Sequence, residues 1–383
     1  MSTQWPQVSL GDILRLQRRP VKVQPDAKYQ EIGIYCFGRG IFHKEPRTGL
    51  EVGDKDLFLL KEGDFILQVT FAWEGAVALV SAADDGLYGS TRYPTFRVDD
   101  RQCVPEFLLN YFRTDSGIHQ LGRICPGSAG RNRVLNLKRL PEVFVPLPSL
   151  SEQQRIVALI RETAIQIEEA RRLRQEAINE LALLYRSILL SDNATQKMPM
   201  NELVILKEPD VVVDAQQTYH FAGVYSFGRG VFRGQAKTGM EFSYPRLTRI
   251  EAGNFVYPKL MAWEGALGVV PADCDGLVVS TEFPVFEVIE DRVLPEVLDV
   301  YFRNPAVWPA LSGASTGTNV RRRRLNPADF LRYEFPVPSR FVQLKLRRVL
   351  AETEPVRTLQ ARTAEELESV LPSVLSRAFE GVL

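Results

Sequence analysis

The chain has 383 residues, a length that fits two or three domains better than one. It is 45% hydrophobic and 25% charged, an ordinary globular balance, and no apolar run reaches the ~20 residues of a membrane span. Its 47 basic and 47 acidic residues cancel, so any nucleic-acid surface has to be a local patch.

The four cysteines are scattered, with no CxxC pair, and there are only three histidines. A zinc site built from cysteine and histidine is therefore not expected. The N-terminal residues contain no signal-peptide core. We expect the reducing cytoplasm to be the location of this chain.

The first motif in chain order is Tyr-x-Phe-Gly-Arg-Gly-x-Phe, followed by Thr-Gly-x-Glu. It begins at Tyr35 and again at Tyr225, 190 residues later. With the same shift, 43 of the 119 positions from Glu31 to Ser149 are identical to their partners, without a gap. A repeat of this length is too long for a solenoid unit, so the chain consists of two copies of one domain.

Each copy begins with short β-rich runs separated by Gly, Pro and Asp, which predict strands within residues 63–71, 95–100, 253–260 and 285–291. A short helix is predicted to start at Pro105, and another at Pro295. A Pro-x-Pro-Ser junction, which blocks a helix and can supply an N-cap, then precedes a long helical segment in each copy.

The two long segments show a heptad pattern, and Ser151 is a predicted cap of the first. The predicted seam of the first consists of Ile160, Thr163, Ile167, Ala170, Ala177, Leu181, Leu184 and Ile188, with Arg174 as an exception. That of the second consists of Leu350, Ala364, Leu367, Leu371, Val374 and Ala378. We expect the helices to pair as a coiled coil, the alternative being that each packs on its own domain.

Two stretches resemble a known family. "PLPSLSEQQRIVALI" from Pro146 is similar to the start of the central helix in specificity subunits of type I restriction–modification systems, and "ESVLPSVLSRAFEGVL" at the C-terminus is similar to the end of that family's second helix. The resemblance implies target-recognition domains at residues 1–148 and 193–338, and long helices at 149–192 and 339–383. The predicted fold is two α/β (α+β) domains joined by an antiparallel coiled coil, with a pseudo-twofold axis.

The resemblance also implies the partners. It indicates a subunit without catalysis or bound cofactor, which reads double-stranded DNA and carries two methyltransferase subunits that bind S-adenosylmethionine. Restriction subunits join in systems that also cleave DNA, and the resemblance leaves open whether they join here. No membrane is implied.

Two kinds of group are needed to bind and read DNA: Lys and Arg on phosphates, and side chains at base edges. Arg39 and Arg229 lie between glycines and beside aromatic residues, in a loop suited to presenting an arginine to guanine. The alternative is an ordinary β-turn with a solvated arginine.

Further candidates follow in chain order. A basic segment that could grip phosphates recurs in both copies, the alternative being solvated charges; it contains Arg131 and Arg133, then Arg321, Arg322, Arg323 and Arg324. Thr48 and Thr238 lie in a Thr-Gly turn that could approach a groove, and Lys259 is a basic residue that only the second copy has. Trp73 and Trp263, in "AWEGA", are more consistent with packing.

These features predict a non-enzymatic DNA-recognition subunit. Because the two copies share so much, we expect a bipartite, near-palindromic target. One alternative is a duplicated DNA-modifying enzyme, although the sequence has neither an Asn-Pro-Pro-aromatic motif nor a Gly-x-x-x-x-Gly-Lys-Ser/Thr loop. The other alternative is a pseudo-symmetric scaffold for proteins.

Overall fold

The computed structural model describes residues 5–127, 133–191, 195–313 and 324–381. The chain divides into two compact units. The first comprises Met1–Arg172 and Arg362–Leu383, and the second comprises Leu173–Ala361. Each unit therefore contains one copy of the duplicated domain and a part of both long helices.

The first unit is built from short strands that pair almost entirely antiparallel. Its strands are Gln7–Ser9, Leu14–Gln17, Pro20–Val21, Lys28–Tyr29, Ile32–Ile34, Ile41–His43, Arg47–Thr48, Leu57–Leu59, Phe65–Leu67, Val77–Leu79, Tyr88–Ser90, Thr95–Val98 and Phe144–Pro146. Its short helices are Leu10–Ile13, Gly49–Val52, Pro105–Tyr111 and Asp115–Arg123. Phe65, Phe107 and Phe112 are fully buried at the centre of the core, between the four-stranded sheet and these helices.

The second unit repeats this plan with longer strands around the Phe-Gly-Arg-Gly motif. Its strands are Gln196–Pro199, Val204–Leu206, Val211–Val212, Thr218–Tyr225, Gly230–Thr238, Arg246–Arg249, Phe255–Val256, Gly268–Val269, Val278–Ser280, Val285–Val288 and Glu334–Val337. Its short helices are Pro295–Phe302, Trp308–Gly313 and Pro327–Leu331. Phe255, Phe286 and Phe330 occupy the centre of its core.

The strands and short helices predicted from the sequence are confirmed. Every predicted β-rich run contains a strand, and the two proline-started helices are Pro105–Tyr111 and Pro295–Phe302. Mostly antiparallel pairing with helices set apart from the strands is an α+β arrangement, as expected.

The long helices are Leu150–Leu190, here called the central helix, and Arg340–Phe379, here called the C-terminal helix. They run in opposite directions within each unit. In the first unit Arg171 contacts Glu368 at 2.7 Å, and Ile156 shares a core with Ala378. In the second unit Arg174, the polar exception in the seam, donates to the carbonyl of Gln360.

Two predicted seam positions are wrong. Leu184 is 43% exposed, whereas its neighbour Tyr185 is buried and its hydroxyl lies 2.6 Å from Thr353 Oγ1. Ala364 is exposed as well. From Leu181, a step of three residues leads to Leu184 and a step of four leads to Tyr185, and both steps keep a side chain on one helix face. Tyr185 occupies the seam because its hydroxyl has a partner on the other helix.

The first glutamine of the Glu-Gln-Gln motif, Gln153, makes a structural contact. Gln153 is fully buried, and its amide accepts from Val104 N at 2.8 Å and donates to the carbonyls of Gln102 and Pro148, both at 2.9 Å. Gln343 makes the same three bonds in the second unit, to Leu294, Arg292 and Pro338. This glutamine therefore connects each long helix to the loop that precedes the proline-started helix, Pro105–Tyr111 or Pro295–Phe302.

The predicted cap Ser151 lies inside the central helix. Ser149 precedes the helix, and its hydroxyl accepts from Glu152 N at 3.4 Å. The cap is thus supplied by the serine of Pro-x-Pro-Ser, because that proline-rich stretch stops the chain from continuing the helix backwards.

Candidate nucleic-acid interface

The Phe-Gly-Arg-Gly motif forms the tip of a β-hairpin in both units. Phe37 and Gly38 have φ of 60° and 59°, and Phe227 and Gly228 have φ of 64° and 67°. Among the described residues these two phenylalanines are the only non-glycine residues with positive φ. Such a backbone costs a residue with a side chain about 1 kcal/mol or more, so the surrounding structure has to hold it in place.

The Ala-Trp-Glu-Gly motif provides that support. Phe37 N donates to the carbonyl of Glu74 and Gly38 N to that of Gly75, both at 2.8 Å. The second unit repeats these bonds at 2.8 and 2.9 Å, from the motif's Phe and Gly to Glu264 and Gly265. The two motifs singled out in the sequence are therefore two parts of one structure, with the hairpin tip bound to a 3-10 turn.

A second support lies beneath the tip. A Cβ added to Gly38 would come within 2.3 Å of Arg113 Cγ, and one added to Gly228 within 2.7 Å of the carbonyl oxygen of Arg303. Only glycine can approach the end of the short proline helix so closely. The motif thus needs its first glycine both for backbone conformation and for space.

The arginine of the motif is exposed and braced in both units. The guanidinium of Arg39 lies 5.5 Å from the centre of the Tyr35 ring, and that of Arg229 lies 4.7 Å from Tyr225. In each case Nε donates at 3.2 Å to the backbone carbonyl three residues earlier. The terminal guanidinium nitrogens face solvent with a restricted orientation, which suits contact with a base edge or a phosphate.

The tyrosine is in turn packed on a phenylalanine of the opposite strand. The ring centroids of Tyr35 and Phe42 are 4.6 Å apart, and those of Tyr225 and Phe232 are 3.9 Å apart and stacked. The Tyr35 and Phe42 rings are tilted by 40°, so arginine, tyrosine and phenylalanine pack in one row along each hairpin, here called the aromatic stack. We call the tip and this stack the reading head of each unit.

The reading head of the first unit is also tied to its support by a side chain. The thiol of Cys36 donates to the carboxylate of Glu74 at 3.1 Å. Burial, together with the hydrogen bond and negative charge of Glu74, raises the pKa of Cys36 to about 11. The thiol is therefore protonated at neutral pH, and its role is structural. Ser226 takes this position in the second unit.

The Thr-Gly-x-Glu motif is a capping box in both units. The amide and hydroxyl of Thr48 donate to the Glu51 carboxylate at 2.7 and 2.9 Å, and Thr238 makes the same bonds to Glu241 at 2.6 and 2.8 Å. These bonds hold the pKa of both carboxyl groups below its ordinary value. The motif thus has a local structural explanation, and the contact of its threonine with a DNA groove remains a prediction.

The basic segment lies partly outside the described residues: Arg131, Arg321, Arg322 and Arg323 fall there. Arg133 lies 5.4 Å from the centre of the Trp73 ring, and His119 and Arg123 line the same open cleft of about 370 Å³. Asp115 also lines this cleft, so its charge is mixed, and a phosphate bound there would be held by Arg123 and Arg133 beside the indole. Trp73 itself is fixed by a bond from Nε1 to the Thr70 carbonyl.

In the second unit the described end of the basic segment makes different contacts. Arg324 forms an ion pair with Glu282. Lys259 Nζ donates to the Thr281 carbonyl at 2.8 Å, and the Lys259 carbonyl accepts from Leu325 N at 2.9 Å. Lys259 thus links the turn at Thr281 to the basic segment at Leu325. Its contact with DNA remains a prediction.

One polar cluster in the first unit was not predicted from the sequence. Glu31 is 2% exposed and pairs with Arg47 and Lys55. Burial would raise the pKa of Glu31, but the hydrogen bonds and charges of its two partners outweigh burial and lower it. The second unit has Phe221 at the position of Glu31, so the surface beside the reading head differs between units.

The residues that the structure describes hold no group of three or more His, Cys, Asp or Glu placed to bind a metal ion. Within the same ranges, no helix combines the length and the apolar character needed to cross a membrane.

Comparison with known proteins identifies relatives of this architecture. Residues 3–177 match the family model of the type I restriction modification DNA specificity domain. No curated protein matches the chain. Among solved structures, the HsdS subunit from Thermoanaerobacter tengcongensis is 20% identical, with a TM-score of 0.52 and coverage of 100% of this chain and 98% of that chain.

Two more solved structures share the fold over nearly the full length. A chain from a structure on complex assembly and conformational transition of the type I R-M system is 20% identical, with a TM-score of 0.66 and coverage of 100% and 99%. The type I S subunit from M. genitalium is 13% identical, with a TM-score of 0.50 and coverage of 99% and 96%. At these identities the likeness shows the fold.

Proposed function

Because the chain carries the type I restriction modification DNA specificity domain over residues 3–177, we propose that each of its two units reads one half of a bipartite DNA target. The resemblance to type I specificity subunits that the sequence suggested is thereby confirmed. Such subunits recognise DNA and are not catalytic. The chain's own task is accordingly to bind, and the chemistry of methylation belongs to a partner.

The observation that carries the proposal is the reading head. Both units hold an exposed arginine over the ring of a tyrosine, at a hairpin tip whose backbone is held by the same two hydrogen bonds. A guanidinium with free terminal nitrogens matches the two acceptors of guanine in the major groove. We therefore assign base reading to Arg39 and Arg229, with guanine as the preferred base of each.

Phosphate contacts fall to the basic segment. Arg133, with Arg123 and His119 beside it, supports a phosphate seat in the first unit. We assign phosphate binding to Arg131 and Arg321–324 as well. Lys259 holds the basic segment of the second unit through its contact with Leu325. Such contacts fix register and add affinity without reading sequence.

The half-sites are expected to be similar. Like reading heads favour like bases, and long helices that run in opposite directions are consistent with half-sites arranged as an inverted pair. The match is expected to be incomplete, because the charged cluster of Glu31, Arg47 and Lys55 has Phe221, Lys237 and Pro245 as its counterparts. We therefore propose a near-palindromic target rather than a perfect palindrome.

The long helices are the proposed docking surface for methyltransferase subunits. Exposed apolar side chains lie on both of them, among them Ile165 and Ile178 on the central helix and Val356 and Val370 on the C-terminal helix. Exposed apolar groups of this kind mark protein interfaces. Each of the two long helices carries such groups, which fits two methyltransferases, each binding its own S-adenosylmethionine. We place the complex in the cytoplasm, together with the DNA that it modifies.

The test is reconstitution with the methyltransferase partner. The purified complex should methylate adenine in one bipartite motif and bind that DNA with a strong salt dependence. The chain alone should show no turnover with S-adenosylmethionine or with Mg²⁺ and DNA. Turnover by the chain alone would favour a DNA-modifying enzyme, and the absence of salt-dependent DNA binding in the complex would favour a protein scaffold.

A further inference from the structure

Resting on the proposed function, we propose that Phe37 and Phe227 are aromatic wedges that enter the base stack, one in each half-site. The two rings are 60% and 65% exposed. Neither belongs to a hydrophobic core cluster of the described residues. Phe227 has one aromatic neighbour, Trp308, whose ring centroid is 6.4 Å away.

The position of the rings is unfavourable for folding. Both phenylalanines adopt positive φ, a backbone for which glycine is the natural choice. An exposed apolar ring gains nothing from the core, so the fold alone gives no reason for phenylalanine here. Fewer than half of the aligned positions of the two copies are identical, yet both copies have this residue. Strain kept at an exposed tip indicates a ligand-binding role.

The backbone at the tip is rigid enough to act as a wedge. The amides of Phe37 and of the following glycine are both bonded to the 3-10 turn, and Tyr35 N donates to Gly40 O at 3.0 Å across the tip. Arg39 is held back against Tyr35 and offers hydrogen-bond donors, while the phenyl ring offers only its faces. Among DNA groups, the faces of the bases are the surfaces that a phenyl ring matches best.

The experiment uses the full chain in complex with its methyltransferase subunits. The DNA is a duplex that contains the motif methylated by the complex. In each duplex, 2-aminopurine replaces one base, and a series of duplexes covers the positions of both half-sites. The test variants are Phe37→Gly and Phe227→Gly, which remove the ring and relieve the positive φ, so their thermal stability should be unchanged or higher. Phe37→Tyr keeps a ring. The matched controls, Leu50→Ala and Met240→Ala, remove exposed apolar side chains at equivalent positions of the two units.

The wild-type complex should raise 2-aminopurine fluorescence at one base step of each half-site. This base step should differ from the position of the adenine that is methylated. Phe37→Gly should abolish the rise in one half-site only and weaken binding by about 5- to 150-fold, which corresponds to the stacking of one base on an aromatic ring. Phe227→Gly should act on the other half-site. Phe37→Tyr and both controls should behave as wild type.

Three results would overturn the wedge while leaving the proposed function intact. Phe37→Gly and Phe227→Gly could bind with unchanged affinity and fluorescence profile. Their loss of affinity could vanish when thymine is replaced by uracil, which would indicate contact with a methyl group in the groove. They could lose their methyltransferase subunits in size-exclusion chromatography, which would make the ring a protein contact. A wild-type complex without salt-dependent DNA binding would overturn both proposals.

Discussion

Replacing Gln153 by alanine should destabilise the first unit by about 3–5 kcal/mol. The amide is fully buried and makes three hydrogen bonds of 2.8–2.9 Å with Val104, Gln102 and Pro148. Its loss leaves the Val104 N–H without a partner, at a cost of about 1–3 kcal/mol for a buried donor. The two carbonyls each lose a donor, and a cavity opens at the start of the central helix, which together add about 2 kcal/mol.

Gln343→Ala should destabilise the second unit by a similar or slightly smaller amount. Its bonds to Leu294 N and the Pro338 carbonyl are 2.9 Å, but the third bond, to the Arg292 carbonyl, is 3.3 Å and so weaker. Gln154→Ala is the matched control, because Gln154 is the exposed neighbour of Gln153 on the same helix. Its effect should stay within about 0.5 kcal/mol.

The assay is urea unfolding followed by circular dichroism, with hydrogen exchange read at individual amides. Gln153→Ala should lower the urea midpoint and speed exchange in the Pro105–Tyr111 helix. Gln153→Glu should recover little of the loss, because a carboxylate accepts from Val104 N but donates to neither carbonyl. A Gln153→Ala midpoint equal to that of Gln154→Ala would refute the role of this glutamine as a fastener.

Three further predictions concern binding and pH. Arg39→Ala and Arg229→Ala should each relax specificity in one half-site, by about 1–3 kcal/mol for a lost bidentate base contact, as read from methylated motifs; relaxation of both half-sites by one change would contradict this assignment. Neutralising residues 321–324 should weaken binding to all sequences and flatten the plot of log affinity against log salt; altered base preference with an unchanged slope would reverse the assigned roles. The ion pairs lower the pKa of Glu31 below its ordinary 4.5, so they stabilise the fold above about that pH and the stabilisation is lost as pH falls through the lowered value. The stability difference between wild type and Glu31→Gln should therefore shrink in acid, and a difference that is constant from pH 7 to pH 3 would show that this carboxyl does not titrate.

Much of the fold could be predicted because the evidence for it is local or repeated. The duplication follows from identical letters at a fixed shift, and strands and proline-started helices follow from short-range preferences. The predicted helix seam is correct at Ile160, Ile167 and Ile188, which are buried, and wrong at Leu184 and Ala364, which are exposed. A heptad count treats every apolar residue alike, whereas the structure prefers Tyr185, whose hydroxyl has a partner on the other helix.

The interface was predicted only in part, because its chemistry depends on contacts between distant segments. The sequence indicated that Arg39 is special, but it gave no sign that the hairpin tip binds the turn at Glu74 and Gly75. The available signal was that Phe-Gly-Arg-Gly and Ala-Trp-Glu-Gly are both identical in the two copies. Two motifs that are both retained after a duplication are candidates for contact. The capping role of Thr48 was likewise readable from Thr-Gly-x-Glu, which has the spacing of a capping box.

The most direct test of the account is methylome sequencing of cells that express this chain together with its methyltransferase partner, compared with cells that lack only this chain. Adenine methylation should fall on a single bipartite motif whose two halves are similar and inverted, and it should be lost completely without the chain. Methylation that persists without the chain, or that falls on one continuous motif, would contradict the claim that the two units each read one half of the target.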